Sequence, residues 1–342
     1  KNPLVSINMI AFNSEKYIGH AIQSILDQTY TNLELIIVDD GSTDNTFRVI
    51  NSFQDSRISL IMNNNNRGIP FSRNKALKAS SGEYIAVLDA DDISLNIRIH
   101  EQVKFLKNNP SFGLVGGLSE VIDNNGKNMN IYQGKIISPE ESMVHLLFRN
   151  CFIHSTIMYK KDVIKVYGFN NEFDVCEDYD LIVNVAQKNK VQNLNKVVSQ
   201  YRIHKNNISK TNRHIDYNNK KIIFSQLSKM GLSVNNYDYK IHKGLTKKKI
   251  HHDNNLLISS LKWLDKLYRA NKRKEIFPKK EFYKKVSGYW FNFINNPLTF
   301  SPRLLIPYFQ SKILWDSNRG PLEHIKFVVK CILFWKIDIV EG

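Results

Sequence analysis

Cysteine is scarce. Only Cys151, Cys176 and Cys331 occur, an odd number with no Cys-x-x-Cys spacing. That argues against a disulfide framework or a cysteine zinc site and fits reduced thiols in a reducing compartment. Long hydrophobic runs are missing too: nothing approaches the roughly 18 uninterrupted apolar residues that a membrane-spanning helix needs. The opening Lys1-Asn2-Pro3 and the short apolar run from Leu4 do not make a signal peptide, so the expected location is the cytoplasm. Internal repeats are absent, and the asparagines at 63–66 form the only biased run, read as a polar loop. Net charge is also missing from most of the chain. Residues 1–210 carry 23 basic and 22 acidic side chains, whereas residues 211–342 carry 25 and 10, so a balance of +15 sits in the last 132 residues. Such lopsidedness points to an anionic partner for that segment: a membrane surface, a nucleic acid or a pyrophosphate-bearing substrate. A solvated helical tail is the plainer alternative.

What is present is a globular composition, 42% hydrophobic and 23% charged, with a length that suits one large α/β domain plus a smaller element. Residues 5–10 alternate apolar and polar as a strand does. Tyr17, Ile18, Ala21, Ile22, Ile25 and Leu26 share one helical face, with Asn13 and Ser14 as candidate caps. Residues 33–38 read as a buried parallel strand, Gly41-Ser42-Thr43-Asp44 as a turn and cap, and residues 58–62 as a strand. A helix is expected over 70–80 and a strand over 84–88. These strand–helix repeats predict right-handed crossovers and a doubly wound, mainly parallel sheet flanked by helices. Further on, helices are expected over 95–108, 140–148 and 179–187, strands over 112–118 and 155–159, and a hairpin turn at Asn124-Asn125-Gly126. Beyond Asp216 helical periodicity dominates. Leu256, Leu257, Ser260, Leu261, Leu264 and Leu267 make one stripe, and Phe327, Val328, Cys331, Ile332 and Trp335 another. The expected domains are 1–215 and a basic, mainly helical 216–342.

Three acidic clusters fall where strands end or helices begin. Asp39-Asp40-Gly41-Ser42 follows the second strand, where doubly wound sheets bind ligands; a carboxylate there accepts hydrogen bonds from a base or ribose, or simply caps a turn. Asp89-Ala90-Asp91-Asp92 packs three carboxylates into four residues, and repulsion makes that costly unless a cation offsets it. Alternate residues of an extended segment share a side, and oxygen ligands there suit Mg²⁺ or Mn²⁺ against a diphosphate. Asp92 is expected to cap the next helix. Glu177-Asp178-Tyr179-Asp180 opens a helix, where the dipole favours acids, but a carboxylate base for a sugar hydroxyl needs a site of this kind.

In this order the residues resemble a family 2 glycosyltransferase of the GT-A fold. The likeness is carried by Val5-Ser6-Ile7-Asn8-Met9-Ile10-Ala11-Phe12-Asn13, Gln28-Thr29-Tyr30, Glu34-Leu35-Ile36-Ile37-Val38-Asp39-Asp40-Gly41-Ser42-Thr43-Asp44, Arg73-Asn74-Lys75-Ala76, the stretch Gly82 through Asp92, Glu177-Asp178-Tyr179-Asp180-Leu181 and Tyr201-Arg202-Ile203-His204. It runs from Pro3 to about Ser209. The resemblance implies a nucleotide-diphosphate sugar donor, usually UDP-linked, read by Asp39 and Asp40, with Phe12 and Asn13 lining the nucleotide pocket. It implies a divalent metal, Mn²⁺ or Mg²⁺, at Asp89 and Asp91, approached with the diphosphate by Arg202 and His204, and donor contacts from Arg73. It makes Asp178 the base of an inverting single displacement, with His154, Ser155 and Glu177 on the acceptor side. Met9 replaces a usual proline and Ala76 a common glycine, changes expected to affect packing more than chemistry.

The implied reaction moves a sugar to a hydroxyl of a saccharide acceptor, lipid-linked in surface-polysaccharide or glycan synthesis. GDP- and dTDP-sugars remain alternative donors. The basic tail, with Trp263, Tyr268 and Tyr283 among its lysines, admits a nucleic-acid-binding reading from another class; the near-neutral motif-bearing domain speaks against it. Aromatics beside basic runs favour an anionic membrane surface on the inner face of the cell membrane, and packing into a homodimer is the competing use.

Overall fold

The computed structural model describes residues 2–205, 207–246, 254–294, 305–315, 325–329 and 331–333. The chain divides into two compact units, Lys1–Met143 with Asn150–Ile222, and Val144–Arg149 with Ile223–Gly342.

The elements begin with β1 (Val5–Ala11), α1 (Ile18–Leu26), β2 (Leu33–Asp39), α2 (Thr46–Asn51), β3 (Ile58–Met62), α3 (Ile69–Ala79) and β4 (Tyr84–Val87). Then come β5 (Ile93–Ser94), α4 (Arg98–Asn108), β6 (Phe112–Ile122), β7 (Asn128–Gln133), α5 (Pro139–Leu146), a 3-10 turn His154–Thr156, β8 (Met158–Lys160), α6 (Lys161–Tyr167), α7 (Glu177–Ala186), β9 (Lys190–Arg202) and α8 (Ile208–Thr211). The helices α9 (Ile215–Lys229), α10 (Asn236–Gly244), α11 (Asn254–Lys274), α12 (Lys279–Ile294), α13 (Leu305–Gln310) and α14 (Lys312–Trp315) follow.

One sheet organises the first unit, in the order β3-β2-β1-β4-β8-β6-β9-β5, with β7 paired to β6. β1, β2, β3 and β4 are mutually parallel neighbours, as alternating strands and helices require. The chain steps outward from β1 to β3, then returns to place β4 on the other side of β1. That reversal opens a crevice at the carboxyl ends of β1 and β4, the usual ligand position in such sheets. Beyond β4 the sheet is mixed: β8 runs antiparallel to β4 and β6, while β9 runs parallel to β6.

Burial explains the central strands. The polar members of β1, Ser6 and Asn8, are buried as fully as Val5, Ile7 and Met9, because the strand is covered on both faces. They are satisfied locally: Ser6 Oγ donates to Glu34 at 2.5 Å and Asn8 Oδ1 accepts from Ser80 Oγ at 2.9 Å. The apolar face of α1 joins Ile7 and Met9 in the main core. Ala76 packs with Ile36 and Val38 on the other face. Met9 and Ala76 are thus core residues in this chain.

Several local expectations are corrected. Asn13 and Ser14 do not cap α1 through their side chains. Tyr17 is its N-cap residue, without a side-chain bond, while Ser14 O accepts the Tyr17 and Ile18 amides. Asp92 does not cap α4, which starts six residues later behind Ile97. Residues 154–156 form a 3-10 turn ahead of the short β8, where a continuous strand was expected.

The second unit is helical where described. Leu257, Leu261, Leu264 and Leu267 of α11 are buried, as the stripe predicts. His242 of α10 stacks on Phe148 with centroids 4.8 Å apart. It accepts Trp263 Nε1–H at Nδ1 over 3.2 Å, and its Nε2 lies 3.0 Å from Leu147 O. Asn271 and Phe277 exchange hydrogen bonds of 3.0 and 2.9 Å and close the turn between α11 and α12. Of the second stripe Phe327 and Cys331 are buried but Ile332 is half exposed, which departs from the expected stripe; Trp335, and Phe334 and Lys336 beside it, lie outside the described residues. No helix among the described residues is long and apolar enough to cross a membrane.

Candidate active site

A cavity of about 1560 Å³ opens at the carboxyl ends of the parallel strands. Phe12, Asn13, Asp40, Arg73, Asp89, Asp91, His154, Glu177, Asp178 and His204 all line it. Residues as far apart as 12 and 204 meet there because β1, β2, β4 and β9 end on one side and α7 begins there.

One side of the cavity is built on a latch. Asn13 adopts a left-handed backbone, φ 49°, and its Oδ1 accepts the Thr43 amide at 2.9 Å, while its own amide donates to Ser42 Oγ at 3.0 Å. Gly41 is required beside it. Its φ is +75°, and a Cβ there would lie 2.6 Å from the Asn65 carbonyl carbon. Asp39 is buried, accepts the Ser42 amide at 2.9 Å and does not line the cavity. Asp39 thus shapes the turn, and Asp40 is the member of the pair that reaches the cavity. Asp40 is also buried, yet it reaches the cavity wall. Its Oδ1 accepts from Asn63 Nδ2 at 2.6 Å, Ser72 Oγ at 2.8 Å and Arg67 N at 3.0 Å, whereas Oδ2 accepts only Gly68 N, at 2.9 Å. A carboxylate oxygen has about two lone pairs, so Oδ2 keeps the capacity to accept once more.

The segment after β4 presents two carboxylates with different partners. Asp91 Oδ2 lies 2.8 Å from His204 Nε2. Asp89 faces Arg73 Nη2 at 3.2 Å and Ser155 Oγ at 3.2 Å, with His154 Nε2 at 4.0 Å. Burial, with Arg73 adding to it, pushes the His154 imidazole down to about 3, so it is neutral. Ser155 is fully buried and holds Asp89 from behind. Arg202 is likewise behind the wall. Its Nε donates to Asp91 O at 2.8 Å, its Nη1 to Asp123 O at 3.2 Å, and its guanidinium covers the Tyr17 ring at 4.7 Å. Arg202 therefore positions the Asp91 backbone and does not line the cavity. Asp92 is buried and accepts the Arg202 amide at 2.8 Å. Burial, reinforced by Asp91 and Asp89, holds its carboxyl well above the usual range.

Arg73 joins the two sides of the site. Besides Asp89 it pairs with Glu177, which is buried at the first turn of α7. Burial works against its charge, but Glu177, Asp89 and Asp178 more than offset this and raise its pKa. Burial also raises the Glu177 and Asp178 carboxyls, and Arg73 opposes the rise in both. Asn150 Nδ2 lies a long 3.4 Å from Asp178 Oδ2, and hydrogen bonds from the Tyr179 amide and from its own amide also oppose the rise of the Asp178 carboxyl. Cys176, just before the pair, holds a left-handed backbone with φ 66°, strain of the kind stored beside functional groups.

Among the described residues no three His, Cys, Asp or Glu side chains converge to hold a metal ion. The donor set that does converge, one carboxylate and one imidazole, suits Mn²⁺ or Mg²⁺ only if substrate phosphates and water complete the shell, the usual habit of these ions. Tyr17, Asn63, Ser72 and Asn150 support the site without any sequence signal that would have flagged them.

Residues 6–168 match the family model described as Glycosyl transferase family 2. The UDP-Glc:alpha-D-GlcNAc-diphosphoundecaprenol beta-1,3-glucosyltransferase WfgD of Escherichia coli is 37% identical over 210 residues, 60% of this chain and 79% of that protein. S. aureus TarS 1-349, solved with UDP-GlcNAc, superposes with a TM-score of 0.57 at 17% identity, covering 88% of this chain and 91% of that one. The mannosyltransferase PcManGT of Pyrobaculum calidifontis, solved with GDP-Man and Mn²⁺, gives a TM-score of 0.51 at 14% identity, covering 97% and 87%. The two structures share the GT-A fold seen here. With the family's stretch spanning β1 to α6 and a relative at this identity matched over most of its length, the chain belongs to the family 2 glycosyltransferases.

Proposed function

We propose that this glycosyltransferase moves a sugar from UDP to a hydroxyl of a lipid-linked saccharide, with inversion at the anomeric carbon, in surface-polysaccharide or glycan synthesis. The carrying observation is that Arg73 spans from Asp89 at the end of β4 to Glu177 at the start of α7, inside one cavity. Donor-side and acceptor-side groups are thereby held at a fixed separation, which is what a single displacement needs.

Asp178 takes the proton from the acceptor hydroxyl. The oxygen then bonds to the anomeric carbon as the bond to the diphosphate breaks. Raised by burial, the Asp178 carboxyl is a stronger base than a solvated one, which favours this role. Asp91 and His204 would hold a divalent ion, whose chemistry is to neutralise charge on the leaving diphosphate. His204 Nε2 must then be unprotonated, its proton on Nδ1. Phe12 and Asn13 line the base pocket, and the spare acceptor capacity of Asp40 Oδ2 suits a ring N–H such as that of uracil. The diphosphoundecaprenol acceptor in the name of WfgD supports a lipid-linked substrate here, met at the cytoplasmic face of the membrane.

The test is transfer from a panel of UDP-, GDP- and dTDP-sugars to a GlcNAc-diphospholipid, with the anomeric configuration of the product read by NMR. Inverted product from a UDP-sugar is expected. A retained configuration removes the single displacement, and preference for GDP or dTDP removes the donor assignment.

A further inference from the structure

The second unit contains helices that are apolar on more than one side. In α13 Tyr308 is buried; its ring stacks on Phe327 with centroids 4.3 Å apart and tilts against Trp290 at 5.2 Å. Residues 325–329 and 331–333 are helical, and Phe327 and Cys331, four apart, are buried. Within 325–329 helical spacing puts Ile325 and Val329 on the side away from Phe327, and within 331–333 Ile332 and Leu333 turn away from Cys331. They are 56%, 44%, 50% and 59% exposed, and Ile306 of α13 is 67% exposed. A helix that only packed on its own unit would carry polar residues there. Single exposed apolar residues are ordinary; several on one helix face mark a contact surface.

Charge selects the partner. Residues 211–342 carry 25 basic and 10 acidic side chains, and Lys326, next to the apolar face, is exposed, as is Lys312 after α13. A second copy would bring the same excess of positive charge. An anionic lipid leaflet brings the opposite sign together with an apolar layer beneath it, and an interfacial helix uses both. We propose that the surface formed by Ile325, Val329, Ile332 and Leu333 docks on an anionic membrane surface. The side chains enter the headgroup–acyl boundary while the lysines meet lipid phosphates. For its purpose, confining the enzyme to the plane of its acceptor, the inference rests on the lipid-linked reading above; its observations do not.

The experiment is co-sedimentation of the full chain with acceptor-free vesicles, of phosphatidylcholine alone or mixed with phosphatidylglycerol, at low and high salt. A Val329→Glu/Ile332→Glu double variant is run beside the parent; both positions are exposed, and circular dichroism and UDP binding check that it folds. The parent should bind the anionic vesicles at low salt and neutral ones far less. The double variant should lose about tenfold or more in partition coefficient. Equal partition of parent and variant, or no binding by the parent, overturns the proposal. So does a parent dimer in sedimentation velocity that the variant turns to monomer without any lipid binding. Because the vesicles carry no acceptor, failure here leaves the transferase reading standing, and failed transfer by a membrane-bound parent sinks only that reading.

Discussion

At Asp178 burial, an arginine and hydrogen bonds from the backbone and Asn150 set what one carboxylate can do. Asp178→Asn should lower kcat by ~10²–10⁴-fold, the usual worth of a general base, with UDP affinity little changed; calorimetry and turnover separate the two. If nucleotide binding fell while turnover per bound complex held, another group would be the base. The sign of the pH dependence follows from the raised pKa. The active form is the deprotonated one, so kcat should fall on acidification through a pKa above the ordinary aspartate range. An acid limb at the ordinary value would place the base elsewhere. Two glycines give a matched contrast at the same scale. Gly41 and Gly68 both have positive φ, +75° and +88°, but only Gly41 has backbone within 4 Å of a would-be Cβ. Gly68→Ala should cost about 1–3 kcal/mol, the penalty of a backbone region nearly reserved for glycine (φ 88°, ψ 160°) with no clash added, and Gly41→Ala more than Gly68→Ala because a backbone clash adds to its strain. Urea unfolding checks both, and equal costs would show that the Asn65 backbone gives way.

Elements differ in how openly the sequence declares them. β1 to β4 and the helices between them were legible because buried parallel strands are short apolar runs and their helices carry one apolar face. β9 was not. Its sequence, Lys-Val-Gln-Asn-Leu-Asn-Lys-Val-Val-Ser-Gln-Tyr-Arg, holds too many polar residues to show a period, and long-range pairing with β6 makes it a strand. Yet β9 carries Arg202 and leads to His204, so the approach of both to Asp91 came only through the resemblance. β7 was hidden for a related reason: all but the last of its residues are exposed, so no burial pattern marks it. Ser72, Asn63 and Asn150 had no signal because their partners lie 23 to 32 positions away. α10 supplies a test of an element buried by its own polar residue. His242 is enclosed, and burial depresses its pKa from 6.5 to about 4, so it stays neutral in the folded state. Between those values the unfolded chain binds the extra proton. Stability is therefore full above pH 6.5 and falls as pH drops toward 4, by up to about 3 kcal/mol. Urea titrations across this window should show the loss in the parent and a flatter slope in His242→Phe. An unchanged slope in the variant would assign the pH dependence to other groups.

For the molecule as a whole, charge and site are separated along the chain. The site-bearing first 210 residues are almost neutral in balance, so the chain offers no general positive field for an anionic donor there, and the proposed donor reading leans on local hydrogen-bond donors. The comparison structure with Mn²⁺ is too distant in sequence, at 14% identity, to carry a ligand set across. The requirement must be read from this chain: Asp91 and His204 face each other, whereas Asp89 is occupied by Arg73 and Ser155. A two-ligand site binds a divalent ion weakly alone and strongly once a diphosphate completes it, so metal and nucleotide should bind cooperatively. A nucleotide at a hundredfold excess over its dissociation constant stabilises the fold by about 2.7 kcal/mol. In a thermal-shift series UDP should therefore raise the transition more with Mn²⁺ than with EDTA, while Mn²⁺ alone does little, and GDP and dTDP should do less than UDP. Asp91→Asn and His204→Ala should keep the metal-free increment from UDP and lose the extra one from Mn²⁺. Asp89→Asn should instead weaken both increments, because it frees Arg73 as well as removing a charge. Should Asp91→Asn retain the full Mn²⁺ increment while Asp89→Asn alone abolishes it, the ligand carboxylate is Asp89, and the Asp91–His204 contact serves only to hold the strand end.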